Sequence, residues 1–159
     1  MKEITLTQGK VALVDDEDFE ELSKYRWSVC KKGRNNWYAR RHQYVGPGKY
    51  AKVYMHKHIM NETGLIVDHI NGNSLNNQRS NLRYCTQAQN AMNSRHQEKC
   101  ASKFKGVSKH IRFKTWQAAI VYQRKRIWLG CHGCEEAAAL AYNKKAVELF
   151  GEFARLNSL

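Results

Sequence analysis

The chain has 159 residues with 27 Lys and Arg against 14 Asp and Glu, which gives a formal net charge of +13. An apolar fraction of 42% is too high for a disordered polycation. No apolar run is as long as the roughly 18 residues that a membrane-spanning helix needs. The N-terminus lacks the charged and then apolar run that is typical of a secretory signal peptide. We therefore expect a cytoplasmic, basic protein without a transmembrane segment or signal peptide, whose first candidate partner is nucleic acid. Nothing in the sequence indicates an obligate protein partner.

The positive charge is concentrated in two segments. Residues 23–60 contain ten basic residues and residues 99–128 contain nine, and neither segment contains an acidic residue. Residues 1–22 carry a net charge of −5, whereas residues 61–98 are balanced. Because aromatic residues are interspersed with the cations in both basic segments, we expect two folded cationic surfaces rather than disordered tails.

Residues 1–53 predict a small β-rich unit. Ile4–Leu6 and Val11–Val14 have the pattern of a short hairpin. Asp15 or Asp16 can cap a short acidic helix that follows. Pro47 stands between two glycines and marks a turn, with a strand pattern on each side of it.

Residues 54–96 predict a strand, a polar loop, a second strand and a helix. The first strand runs through Leu65–His69 to an Asn-Gly turn, and the second covers Asn81–Cys85. Thr86 and Gln89 fit a capping box, so a helix should begin there and run to about Arg95.

Asp68 and His69 stand at a strand end, and Asn90 stands in the first turn of the predicted helix. A carboxylate and an amide oxygen suit a hard cation such as Mg²⁺ or Mn²⁺. A neutral histidine can take a proton from water near neutral pH. These residues indicate phosphodiester hydrolysis, although spacing alone leaves open a loop aspartate beside a surface histidine.

A longer pattern surrounds these residues. It consists of Val67, Asp68, His69, Ile70, Asn71, Gly72, Asn73, Asn76, Asn77, Ser80, Asn81, Leu82, Arg83, Thr86, Gln87, Asn90 and Asn93. The pattern resembles the HNH nuclease motif of phage homing endonucleases, and residues 54–60 resemble the segment that leads into that motif.

The resemblance implies a ββα-metal fold that holds one divalent ion, Mg²⁺ or Mn²⁺. It implies that Asp68 and Asn90 bind the metal, that His69 is the general base and that Asn81 braces the catalytic loop through hydrogen bonds to backbone. Many members of the family have histidine where Asn90 stands. Asn77 is assigned no role beyond loop structure.

Other charged residues of the same segment have weaker claims. His56 and Arg95 are candidates for contact with a DNA phosphate, and a structural or solvent-facing role is the alternative for each. Arg79 and Arg83 either contact the DNA backbone or are solvated.

Residues 97–102 are polar and are expected to form a linker. Beyond them, Phe104–Ser108, Thr115–Tyr122 and Arg126–Gly130 predict three antiparallel strands, and residues 135–150 predict a helix that ends at Gly151. The expected fold class is therefore α+β, with a β-rich N-terminal unit, a ββα-metal nuclease unit and a three-stranded sheet packed on one helix in residues 103–159.

Residues 103–157 resemble the Apetala-type, ethylene-response-factor DNA-binding domain through several short motifs. The matching residues are Lys105, Gly106, Val107, Trp116, Gln117, Ala118, Trp128, Leu129, Gly130, Glu135, Glu136, Ala137, Ala138, Ala141 and Tyr142. The family lays such a sheet in the major groove of duplex DNA. The implied DNA contacts are Lys105, His110, Arg112, Trp116 and Trp128, with Lys109, Lys114, Arg124 and Arg126 on phosphates. For both tryptophans, packing against the helix is an open alternative.

Cys131 and Cys134 form a CxxC pair, but a closed zinc site needs four ligands. We expect reduced thiols there and no zinc. The sequence as a whole predicts a metal-dependent HNH homing endonuclease acting on duplex DNA. The alternatives are a DNA-binding regulator with a vestigial nuclease unit and a nucleic-acid-binding structural module, for which RNA is one candidate ligand.

Overall fold

The computed structural model describes residues 1–33, 36–61, 64–96 and 101–159. It is a mixed α+β structure with small antiparallel sheets and short helices, as the sequence predicts. The chain divides into two compact units, a first unit of Met1–Gln87 and a second unit of Ala88–Leu159. Within the described ranges, no helix is both long and apolar enough to cross a membrane.

The first unit consists of three small antiparallel sheets and two short helices. Its elements are β1 (Lys2–Thr5), β2 (Val11–Val14), α1 (Asp16–Ser23), β3 (Ser28–Lys32), β4 (Asn36–Gly46), β5 (Lys49–Tyr54), α2 (Met55–Ile59), β6 (Ile66–His69) and β7 (Leu82–Cys85). Strand β1 pairs with β2, β4 lies between β3 and β5, and β6 pairs with β7. The predicted N-terminal hairpin is confirmed. So is the hairpin around Pro47, which joins β4 to β5.

One hydrophobic core serves this whole unit. Ile4, Leu22 and Trp27 from the N-terminal elements pack together with Met55 of α2 and Leu82 of β7. The predicted boundary after residue 53 therefore falls inside a shared core. Helix α2 has only five residues, which is too short for a helix that is stable by itself. Its stability therefore depends on the packing of its apolar side chains in this core.

Asparagine side chains hold the loop between β6 and β7. The backbone N–H groups of Asn73, Leu75 and Gln78 donate to the Oδ1 atoms of Asn71, Asn73 and Asn76 at 2.7, 3.2 and 3.2 Å. Such Asx turns give the backbone N–H groups of the loop hydrogen-bond acceptors where no neighbouring strand provides them.

The same loop is also attached to β2. The Leu13 N–H donates to the Leu75 carbonyl at 2.9 Å, and the Asn77 N–H donates to the Leu13 carbonyl at 2.8 Å. The loop is thus fixed from the N-terminal hairpin as well as from within.

The second unit is a three-stranded sheet covered on one face by a long helix. Its strands and helix are β8 (Val107–His110), β9 (Thr115–Tyr122), β10 (Lys125–His132) and α4 (Glu135–Phe150). Strand β9 lies between β8 and β10, and Ala138, Ala139 and Tyr142 of α4 are buried against the sheet. The predicted helix over residues 135–150 is confirmed, with Gly151 directly after it.

Helix α3 (Gln87–Met92) begins at the last residue of the first unit and is shorter than predicted. It ends three residues before Arg95, and the carbonyl of its last residue and that of Ser94 beyond it share one partner. The Lys105 ammonium donates to the Met92 and Ser94 carbonyls at 2.6 and 2.8 Å. Of the predicted linker, residues 97–100 lie outside the described residues, whereas Ser102 is buried and donates to Glu135 at 2.6 Å.

Candidate functional site

His69, at the end of β6, is buried and makes a hydrogen bond inside the protein. Its Nε2 lies 3.2 Å from Oδ1 of Asn77, a side chain with 0% exposure. The Asn77 Nδ2 group donates to the Leu75 carbonyl at 3.2 Å, so the amide oxygen is the atom that faces the ring. Nε2 of His69 must therefore carry a proton, and the lone pair of the neutral ring lies on Nδ1.

Burial lowers the pKa of His69 below its ordinary value, and the hydrogen bond with Asn77 and the charge of Asp68 oppose this only in part. The ring is consequently neutral at neutral pH, the state in which a histidine accepts a proton. Neutrality and a fixed orientation are the two properties that a general base requires.

Asn81 links parts of the loop between β6 and β7 through hydrogen bonds from its side chain to backbone. Its Oδ1 accepts the Asn71 N–H at 3.0 Å, and its Nδ2 donates to the Asn76 carbonyl at 2.8 Å. Asn77 was missed from the sequence as the partner of His69. Nothing in the local pattern distinguishes it from the other asparagines of the loop, which make Asx turns.

Asp68 is buried next to His69 and forms an ion pair across the β6–β7 ladder. Its Oδ2 accepts from Nη2 and Nε of Arg83 at 3.0 and 3.1 Å, and the two residues are register partners. Arg83 is therefore paired inside the protein, and its side chain is only 11% exposed. It supplies the counter-charge that lets a carboxylate be buried at this strand end.

The chemistry of the predicted metal ligands fits a hard cation. Asp68 provides a carboxylate in the first unit, and Asn90 provides an exposed amide on α3, in the second unit. In the part of the chain that the structure describes, no group of three His, Cys, Asp or Glu side chains forms a metal cluster. Cys131 and Cys134 are exposed free thiols.

His56 lies beside His69 in an aromatic environment. The two imidazole centroids are 5.0 Å apart, and the rings of Tyr38 and Tyr54 lie 5.5 and 5.7 Å from that of His56. Burial, followed by the charges of His69, Lys57 and Lys32, lowers the pKa of His56 to about 3. Its Nδ1 atom is buried and has no hydrogen-bond partner among the described residues.

The pleat of β3–β5 continues this aromatic environment along one face of the sheet. The side chains that share this face, by register, are Lys32, Tyr38, Arg40, His42, Tyr44, Tyr50, Lys52 and Tyr54. We call it the tyrosine face. Tyr44 and Tyr50 are 61% and 64% exposed at its far end, whereas Ala39 on the opposite face is buried in the core.

The two tryptophans of the second unit lie on opposite faces of its sheet. Trp116 packs into the core beneath α4, so for this residue the alternative that it packs on the helix is the one observed. Trp128 is 52% exposed, and its register partners place it with Arg126 and His110 on the uncovered face.

The remaining predicted DNA contacts are distributed differently. The Lys105 ammonium is held by the backbone carbonyls of Met92 and Ser94. Burial, together with the charge of Arg155, lowers its pKa to about 8. Lys109 is the register partner of Trp116 and therefore points to the helix-covered side. The others lie in exposed turns: Arg112, Lys114 and Arg124.

Comparison with known proteins identifies the family. Residues 54–92 match the model of an HNH endonuclease domain. An uncharacterised HNH endonuclease of Acanthamoeba polyphaga mimivirus is 33% identical over 159 residues, which cover 96% of this chain and 77% of that protein. The chain belongs to the HNH endonuclease family. The chain is also 28% identical to protein 3.8 of Escherichia phage T7 over 112 residues, which cover 70% of this chain and 92% of that protein.

Proposed function

We propose that this HNH endonuclease is a metal-dependent enzyme of the homing type that hydrolyses phosphodiester bonds in duplex DNA and cuts one strand at a time. The observation that carries the proposal is the buried His69, oriented through Nε2 by Asn77. With the lone pair on Nδ1, the ring accepts a proton from water as the water oxygen attacks phosphorus.

A divalent ion, Mg²⁺ or Mn²⁺, would be held by Asp68 and Asn90 and would stabilise charge on the phosphate and the leaving oxygen. The buried ion pair with Arg83 supports this assignment, because it keeps a carboxylate at the strand end that bears the base. Arg83 also orients that carboxylate through two nitrogen atoms.

Two surfaces are proposed to hold DNA. The tyrosine face carries cations next to exposed aromatic rings, in a segment that contains no acidic residue. His56 is the proposed phosphate contact at the end of this face that meets His69, and Arg95 remains a proposed phosphate contact in the second unit. The uncovered face of the second sheet, with His110, Arg126 and Trp128, is proposed to enter the major groove in the Apetala-type manner.

A plasmid-cleavage assay in Mg²⁺ tests the proposal. Wild-type protein should convert supercoiled DNA to the nicked circle before any linear product appears, and EDTA should abolish cleavage. His69→Ala should slow nicking by at least about a hundredfold, the contribution expected of a general base. The same substitution at His132, in the second unit, serves as the matched control and should leave the rate unchanged.

The result also separates the alternatives. If neither wild type nor His69→Ala cleaves DNA while both bind it, the chain is a DNA-binding regulator with a vestigial nuclease. If duplex RNA competes as well as duplex DNA for binding, groove entry by the second sheet is wrong, because A-form RNA closes its major groove to a sheet.

A further inference from the structure

A cationic cavity lies in the second unit, apart from the face of the sheet assigned to DNA. Its volume is about 370 Å³, and the lining residues used below are Arg95, Lys103, Phe104, Lys105, Arg155 and Asn157. Four of these are Lys or Arg, and none of the described residues that line the cavity is acidic.

Hydrogen bonds fix the wall of this cavity. The Lys105 N–H donates to Oδ1 of Asn157 at 2.7 Å, and Nδ2 of Asn157 donates back to the Lys105 carbonyl at 3.1 Å. Asn157 is bonded in turn to Asn143 of α4, through two contacts of 2.8 and 2.9 Å. Phe104 is buried, with 3% exposure. The cations are therefore carried on a rigid frame.

Lys105 and Arg155 are like charges that lie near each other in the wall of the cavity. Lys105 donates to two neutral carbonyls, and the nearby guanidinium of Arg155 adds to the effect of burial in lowering the pKa of that ammonium to about 8. Placing like charges together costs free energy, which an anion from outside would recover.

We propose that this cavity binds a phosphate group of the DNA backbone. A guanidinium and an ammonium are the groups that proteins use for phosphate. A backbone phosphate is favoured over a free anion because the proposed substrate is itself a polyanion. The inference rests on the proposed function for its ligand, and it extends the proposed phosphate contact of Arg95 to a built site apart from the two proposed DNA surfaces.

The test is the salt dependence of DNA affinity, measured by fluorescence anisotropy on a labelled duplex in EDTA. Replacing Lys103 and Arg155 together by Ala should reduce the magnitude of the slope of log Kd against log salt by about 0.9, the value for one phosphate contact. Lys144→Ala removes one exposed cation from α4 and should leave the slope unchanged. An unchanged slope in the double variant overturns the proposal.

A second measurement identifies the source of the phosphate. If inorganic phosphate raises the thermal midpoint of the wild type but not of the double variant, and the two proteins have the same salt slope, the site takes a free anion and the DNA assignment is wrong. Should the double variant fail to unfold cooperatively, Lys103→Ala alone, at an exposed side chain, must still lower the slope. Because binding is measured without metal, a protein that binds in this way but never cleaves DNA would contradict the proposed function and leave the phosphate site intact.

Discussion

Mild acid should destabilise the first unit through His56, which the fold buries in its neutral form. The pKa of this histidine is about 3 in the folded protein, against about 6.5 in an unfolded chain. Since the folded value is the lower one, the unfolded chain takes up the proton first. The contribution of His56 to stability is fully present above about pH 6.5 and is lost as the pH falls toward the folded pKa. Between about pH 7 and about pH 5 the loss from this one group is about 2 kcal/mol.

Urea unfolding at the two pH values, followed by pulsed hydrogen exchange of peptides from β4 and α2, reports the stability of the first unit by itself. His56→Gln keeps a polar side chain but cannot gain the proton, so its acid-induced loss should be smaller than that of the wild type by about 2 kcal/mol. His69 is present in both proteins, and its lowered pKa acts in the same direction in each. Equal losses in the two proteins would refute the assignment to His56.

Four further substitutions test the site and the second sheet. Asn77→Ala should slow nicking by about tenfold to a hundredfold, the cost of one lost buried hydrogen bond, without changing the Kd for DNA; an unaltered rate would mean that this bond does not orient the base. Arg83→Met removes the ion pair of the buried Asp68 carboxylate and should cost about 3–5 kcal/mol in urea unfolding in EDTA. Added Mg²⁺ should restore part of that loss, and no restoration would count against Asp68 as a ligand. Trp116→Ala should lower the stability of the second unit by about 3 kcal/mol, whereas Trp128→Ala should leave its thermal midpoint unchanged and weaken DNA binding; the reverse pattern would show that the two faces are misassigned.

Elements with a strong local pattern could be predicted from the sequence. The three- and four-residue spacing of Ala139, Tyr142 and Ala146 gave the bounds of α4, because one helix face must cover the sheet. The end of α3 could not be predicted in this way. The carbonyl of its last residue accepts from Lys105, a residue whose approach depends on the tertiary fold.

Charge pairing was also beyond prediction from the sequence. Asp15 or Asp16 was predicted to cap the helix that follows. Asp15 stands at the N-cap position but makes no capping bond, and its carboxylate accepts the Arg79 N–H at 2.7 Å. Asp18 pairs with the Arg79 guanidinium, also at 2.7 Å. Acidic residues of the N-terminal segment thus bind Arg79 in the loop between β6 and β7, and Asp15 and Arg79 are 64 positions apart in sequence. Local propensity contains no information on such a contact.

The support of His69, the proposed general base, extends beyond the residues that match the family model. His69 is oriented by Asn77, and the backbone of Asn77 is bonded to Leu13 of β2. The motif match begins only at residue 54, so one of the supports of the catalytic loop lies outside it. A small ββα unit buries too little surface to fix a polar loop by packing. In this chain the N-terminal hairpin supplies backbone partners for the loop, and the core that contains both Ile4 and Leu82 holds the hairpin beside the strand pair that bears His69.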